Sequence, residues 1–164
     1  MSADFRIRTA TPSDVPLILR LIRALAVYEK MEDRVVATED LLNEWIFEKR
    51  IANVMIAEAN GSAVGFALWF HNFSTFLGRG GIWLEDLYVE PEYRGRGIGK
   101  QLLAHLAAYA VEHGCGRLEW CCLDWNEPSI RFYRSLGAES MDEWTTYRLS
   151  GETLTTLATQ CKDA

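Results

Sequence analysis

Residues 93–100 read Tyr93-Arg94-Gly95-Arg96-Gly97-Ile98-Gly99-Lys100, between an extended run, WLEDLYVEPE (83–92), and a helical one, QLLAHLAAYAVEHG (101–114). Glycine at the start of a helix costs conformational entropy and helix propensity, so something must offset that cost. The N–H groups of a first helical turn have no partner inside the helix, and the dipole there favours an anion. Glycines remove the side chains that would hold a phosphate away and permit the positive-φ turns that aim several N–H groups inward. The segment therefore predicts a pyrophosphate cradle, to which Arg94, Arg96 and Lys100 add charge. Two familiar phosphate motifs do not fit. A P-loop needs Ser or Thr after its Gly-Lys, and here Gln101 follows. The dinucleotide fingerprint belongs after the first strand of a parallel unit, whereas G-x-G-x-G comes late here.

Outward from this segment the chain alternates between two periods. Phe5–Thr9 reads as a strand, and Thr11-Pro12-Ser13-Asp14 opens a helix whose Leu17, Leu21 and Leu25 form an apolar stripe down to about Ala26. Thr38-Glu39-Asp40 opens a second helix through Trp45 and Phe47. Val54–Ala59 and Ala63–Phe70 are strands joined through Asn60-Gly61, followed by a loop over 71–79 and a strand over 81–89. The helix after the glycines stops at His113-Gly114. Arg117–Leu123 reads as a strand, Asn126-Glu127-Pro128-Ser129 as the cap of a short helix ending at Gly137, and Trp144–Leu149 as a last strand. Ser150 is placed to cap a helix to about Gln160. Hairpinned strands followed by a strand-helix-strand-helix unit predict a mixed α/β (α+β) fold, its sheet covered by helices. No linker or repeat divides the chain, so one domain, 1–164, is expected.

Composition sets the class. At 164 residues, 49% hydrophobic and 24% charged, the chain matches an ordinary globular protein. No apolar run approaches the ~20 residues of a membrane span, and the first ten residues lack a signal peptide's apolar stretch. A net charge of −6 argues against nucleic-acid binding. Cys115, Cys121, Cys122 and Cys161 form no C-x-x-C pair, and adjacent Cys121 and Cys122 are expected on opposite faces of a strand. Reduced thiols, no metal site and a cytoplasmic location follow as expectations.

The glycine segment matches the R/Q-x-x-G-x-G/A motif that binds the coenzyme A pyrophosphate in the GNAT N-acetyltransferase superfamily. RLIRALAVYEKME, LEDLYVEPEYRGRGIG and LDWNEPSIRFYRSLGA resemble, in order, blocks of its spermidine/spermine (diamine) acetyltransferase branch, which includes thialysine acetyltransferases. The resemblance covers nearly the whole chain. It implies a GNAT fold with a central mixed, mostly antiparallel twisted sheet, acetyl-CoA as cosubstrate, a homodimer, and acetyl transfer to a small cationic amine. Protein lysine is an alternative acceptor, and a non-catalytic acyl-CoA-binding regulatory module is the rival class.

That chemistry needs a neutral amine, a proton acceptor for it and a proton donor for the departing thiolate. Glu85 and Asp86 are adjacent strand carboxylates expected on opposite faces, and spacing does not choose between them. The resemblance puts Glu85 against the substrate amine as proton relay and leaves Asp86 as a second cation contact. Tyr133, seven residues after Asn126, shares a helix face with it, and its phenol is protonated at neutral pH. A tyrosine there also suits plain core packing; the resemblance of NEPSIRFY implies the general acid. By the same resemblance Leu87, Tyr88 and Val89 offer backbone to the pantetheine arm, Gly95–Lys100 take the pyrophosphate, and Asn126, Glu127, Pro128 and Ser129 add coenzyme contacts. Tyr28, Glu29, Glu119, Trp120, Cys121, Glu143 and Trp144 line the amine site. Phe76 stands where the polyamine enzymes carry tryptophan, and the segment before Trp144 is shorter than theirs.

Overall fold

The computed structural model describes residues 5–161, in a compact unit that ends at Cys121 and a second that begins at Cys122. The first unit is built on a five-stranded sheet in sequential order. Its strands are β1 (Phe5–Thr9), β2 (Asn53–Ala59), β3 (Ser62–Ser74), β4 (Arg79–Val89) and β5 (Leu118–Trp120). The first four pair antiparallel, and β5 joins β4 in parallel after a helical crossover. The sheet is thus mixed and mostly antiparallel, as the resemblance implied.

Helices cover both faces. On one, α1 (Val15–Tyr28) sends Ile18 and Leu21 into a core with Val54, Ile56, Phe66 and Tyr88. Ile46 joins that core from α2 (Glu39–Leu42), which continues as π-helical turns over Asn43–Glu48. Thr38 caps α2 as expected, its hydroxyl accepting the Leu41 N–H at 3.2 Å. On the other face lies α3 (Ile98–Glu112), whose Tyr109 ring sits 4.6 Å from that of Trp69. Phe66 and Trp69 are three apart on β3 and so face opposite ways.

Three expected boundaries are corrected. The 71–79 loop is mostly hairpin: His71, Asn72, Phe73 and Ser74 pair with Ile82, Gly81, Gly80 and Arg79, leaving 75–78 as the turn. Polar His71 and Asn72 hid this continuation, because that part of β3 has an exposed side. The strand expected over 117–123 is only Leu118–Trp120, so Cys121 and Cys122 lie beyond it and the opposite-face expectation for them lapses. Trp144–Leu149 is not a strand: among the described residues it pairs with none, and the Trp144 N–H closes a turn onto the Met141 carbonyl. β-propensity alone, without a neighbouring edge, does not make a strand.

The second unit contains α4 (Glu127–Ser135) and α5 (Gly151–Ala158). Gly137, at φ 85°, ends α4 in a Schellman closure: the Ala138 N–H reaches the Tyr133 carbonyl and the Gly137 N–H that of Arg134. No described helix is long and apolar enough to cross a membrane.

Candidate active site

Strand β4 organises the chemistry of the first unit. Leu68 pairs with Asp86 and Trp69 with Leu84, so Glu85 is an extra residue, a β-bulge. The bulge interrupts the regular alternation on which the opposite-face expectation for Glu85 and Asp86 rested. Glu85 is exposed and its carboxylate accepts the Trp83 indole N–H at 2.9 Å. Asp86 is largely withdrawn from water, and burial pushes its carboxyl up to about 7, helped by the negative charges of Glu85 and Glu29.

Glu29 reaches this acid group because of how α1 ends. Lys30 adopts φ 59°, and the Met31 and Lys30 N–H groups bond to the Ala26 and Val27 carbonyls, a Schellman closure with lysine where glycine is usual. Tyr28 and Glu29 occupy that last turn, and partial burial raises the Glu29 carboxyl. Two of the expected amine-site acids thus lie in one another's field.

Beyond the bulge, no described strand pairs with β4 on one side. Its parallel pairing with β5 stops at Leu84–Trp120, whereas its pairing with β3 continues to Val89. A Cβ built on Gly65 would lie 2.7 Å from the Tyr88 carbonyl oxygen, so that oxygen faces β3; by alternation the backbone of Leu87 and Val89 faces the open edge. Arg94 reaches this edge. Its Nε donates to the Val89 carbonyl at 2.8 Å, and its guanidinium carbon stands 4.7 Å from the Tyr28 ring centroid and 5.5 Å from that of Tyr88. This expected coenzyme residue therefore ties the glycine segment to an expected amine-site tyrosine.

The glycine segment has the predicted turns. Gly95 and Gly97 adopt φ 74° and 85°, and Gly97 stands immediately before α3. The first helical bond runs from the Gln101 N–H to the Gly97 carbonyl, so the Ile98, Gly99 and Lys100 N–H groups precede the helical ladder. Arg96, Gly97, Lys100, Gln101 and His105 line an open groove of about 560 Å³ with Phe5 and Ile7. The Arg96 guanidinium also covers the Tyr93 ring at 5.0 Å.

The remaining candidates divide. Glu119 is held by Arg117 at 2.6 Å and by the Asn72 amide at 3.0 Å, which neutralises its charge within the sheet. Trp120 is half-buried at the end of β5, and Cys121 is exposed after it. In the second unit Asn126 is buried and caps α4, accepting the Ser129 N–H at 3.4 Å, with Pro128 in the first turn. Glu127 pairs along the helix with Arg131 at 3.6 Å. Tyr133 is half-buried in the last turn of α4, and Glu143 and Trp144 are exposed. Among the described residues no group of three His, Cys, Asp or Glu side chains is placed to hold a metal.

The Acetyltransferase (GNAT) family model matches residues 19–138. The chain belongs to the GNAT acetyltransferase family. Among its GNAT relatives, the thialysine N-epsilon-acetyltransferase of Sus scrofa is 39% identical, covering 95% of this chain and 98% of that one. The L-ornithine N5-acetyltransferase of Arabidopsis thaliana is 33% identical over 91% of this chain and 86% of its own. Among solved structures, an integron cassette protein from the V. cholerae mobile metagenome superposes with a TM-score of 0.79 at 32% identity, covering 96% of this chain and 98% of that one. This GNAT chain is an N-acetyltransferase that acts on amines.

Proposed function

We propose that the chain transfers acetyl from acetyl-CoA to a primary amine of a small cationic substrate, a diamine, polyamine or thialysine-like amino acid, in a direct ternary complex. The observation that carries this reading is the Asp86 carboxyl, largely withdrawn from water and held at about 7 beside Glu85 and Glu29 on a bulged strand with an unpaired edge. Thialysine and ornithine, named for two relatives, are diamino acids; one amine can be acetylated while another cation pairs with an acid.

An alkyl amine near pKa ~10.4 is neutral in only about one molecule in 10³–10⁴ at pH 7. Asp86 rather than Glu85 is the group we assign to take its proton, directly or through one water. A carboxyl poised near the working pH is a better base than an exposed one already engaged by Trp83. The neutral nitrogen adds to the thioester carbonyl, and collapse of the adduct forms the amide and breaks the C–S bond. Tyr133 supplies the proton to the departing coenzyme A thiolate. Glu29 and Glu85 hold the distal cation, with Tyr28 and Trp144 as aromatic walls. Backbone of Gly95–Lys100 and the open edge at Leu87 and Val89 hold the coenzyme, with Asn126–Ser129 adding contacts.

The family match crosses the Cys121–Cys122 division, which supports one functional domain over 1–164. Exposed Phe73, Phe76 and Leu77 around the β3–β4 turn support a homodimer. A cytoplasmic location, where these thiols stay reduced, completes the reading.

Mass spectrometry of the product, together with release of coenzyme A thiol, tests the reaction on Tyr133→Phe beside the wild type. The variant is expected to fold and to bind acetyl-CoA normally, with turnover lowered by ~10²–10⁴. Wild-type turnover in the variant would remove Tyr133 from the mechanism. Absence of an acetylated amine with the wild type would refute the function.

A further inference from the structure

On the α3 side of the sheet, a second group of reactive side chains lies apart from the bulge. Cys115 Sγ stands 4.0 Å from His71 Nδ1, and His71 Nε2 stands 3.3 Å from the Tyr109 hydroxyl. With Nε2 carrying the proton, His71 donates to Tyr109 and leaves Nδ1 to accept from the thiol. A nucleophile within reach of a base, with that base oriented by a third group, is the arrangement that activates a thiol. His71 pairs with Ile82 and Leu68 with Asp86, so this group sits three positions along β3 from the partner of the acid pair.

Each member is fixed by its element. Cys115 follows the helix-ending Gly114, φ 67°, and its N–H closes α3 onto the Ala110 carbonyl at 2.8 Å. Tyr109 is stacked on His113, rings 3.8 Å apart and 18° from parallel. The His113 imidazole is itself anchored to the Tyr109 carbonyl at 2.8 Å. Beneath them lies Trp69, its ring 5.6 Å from His71 and 4.6 Å from Tyr109, with a buried indole N–H that has no hydrogen-bond partner among the described residues. A buried donor left unpaired is destabilising, and the fold tolerates that cost beside this cluster. His71 is exposed and Cys115 half-buried, so a small molecule can reach the sulfur.

We propose that Cys115, His71 and Tyr109 form a thiol-modification site for small aliphatic disulfides, independent of acetyl transfer. His71 Nδ1 takes the thiol proton as Sγ attacks one sulfur of the disulfide. The external S–S bond breaks and a mixed disulfide forms on Cys115. The departing thiolate takes the proton back from the imidazolium and leaves as a thiol. Cys115 is oxidised, one half of the reagent is reduced, and no further oxidant is required.

The test treats the reduced full-length protein with glutathione disulfide and follows each cysteine by peptide mass spectrometry. Cys115 is expected to form its mixed disulfide about tenfold faster than exposed Cys121 and Cys161, less than the ~10² at which the range for a closely aligned base begins, as suits a 4.0 Å approach. His71→Gln should remove that advantage while leaving the other two rates unchanged. Tyr109→Phe, which keeps the stacked ring, should slow Cys115 by a smaller factor. Wild-type Cys115 reacting no faster than Cys121 and Cys161, or an undiminished advantage in His71→Gln, would overturn the proposal. Acetyl transfer is read separately, so its failure leaves this result intact.

Discussion

The Asp86 carboxyl is buried in the field of Glu85 and Glu29, so at pH 8 the folded chain holds a charge that the unfolded chain gives to water. Its folded value, about 7, lies above the ordinary carboxylate value near 4. Between those values the folded state binds the extra proton. Its contribution to stability is therefore full below pH ~4 and lost as the pH rises through about 7. Asp86→Asn removes the charge with little change of shape. The variant should be more stable than wild type at pH 8 by about 1–4 kcal/mol, with the difference vanishing near pH 4. Its turnover should fall by ~10²–10⁴. Thermal melts at both pH values, with turnover measured alongside, check this; unchanged turnover would return the base role to Glu85. The sequence showed two adjacent acids but not which one is buried. That distinction comes from the bulge, a register shift between residues of two strands that neither strand's own pattern encodes.

At the scale of elements, the turn before α3 was the most legible feature, because its glycines serve a backbone requirement that is local. Gly97 stands at φ 85° with no atom within 4 Å of a built Cβ, so a side chain there meets strain and not a clash. Valine at such a φ costs roughly 1–2 kcal/mol and brings its methyl groups beside the N–H groups of 98–100. Gly97→Val should weaken acetyl-CoA binding about tenfold or more, measured by calorimetry on a folded variant. An unchanged dissociation constant would remove the segment from the coenzyme site. The helix ends were legible for the same reason: Gly114 and Gly137 both adopt positive φ and close α3 and α4. α1 closes identically around Lys30, which no turn-residue rule selects. Trp144–Leu149 was misread because a strand is defined by its partner as much as by its residues.

For the whole molecule, one ion-pair network ties the start of the chain to the sheet. Arg8 holds Asp14 with two N–H···O bonds of 2.7 and 2.8 Å, and its Nε bonds Glu58 at 2.7 Å, which Arg6 also meets at 2.7 Å. The Arg8 guanidinium and the Thr11 N–H hold the Asp14 carboxyl well below the usual carboxylate range, and Arg8 and Arg6 lower Glu58. Depressed values mean a contribution present above pH ~4 and lost as the pH falls through the folded values. Asp14→Ala should cost about 1–3 kcal/mol at pH 7, because it takes from Arg8 one of its two carboxylate partners and opens the Thr11 turn. Urea titrations at pH 7 and pH 3 should show the gap between variant and wild type narrowing in acid; equal stability at pH 7 would contradict the network's role. The turn of Thr11 onto Asp14 was legible as a local helix start, but the pairing through Arg8 was not, because Arg8 and Glu58 are fifty residues apart.

Acid pairing with the acceptor makes a demand that one kinetic comparison can meet. A monoamine matched in length to a diamine lacks the distal cation and forfeits a charged hydrogen bond, about 1.5–3 kcal/mol. Coenzyme A thiol release should therefore give kcat/KM roughly 10- to 100-fold higher for the diamine or a thialysine-like amino acid than for the monoamine. Glu29→Gln should narrow that ratio by lowering the diamine value alone. Equal efficiencies for the two amines on the wild-type protein would contradict the cationic acceptor, and with it the role given to the acids around Asp86.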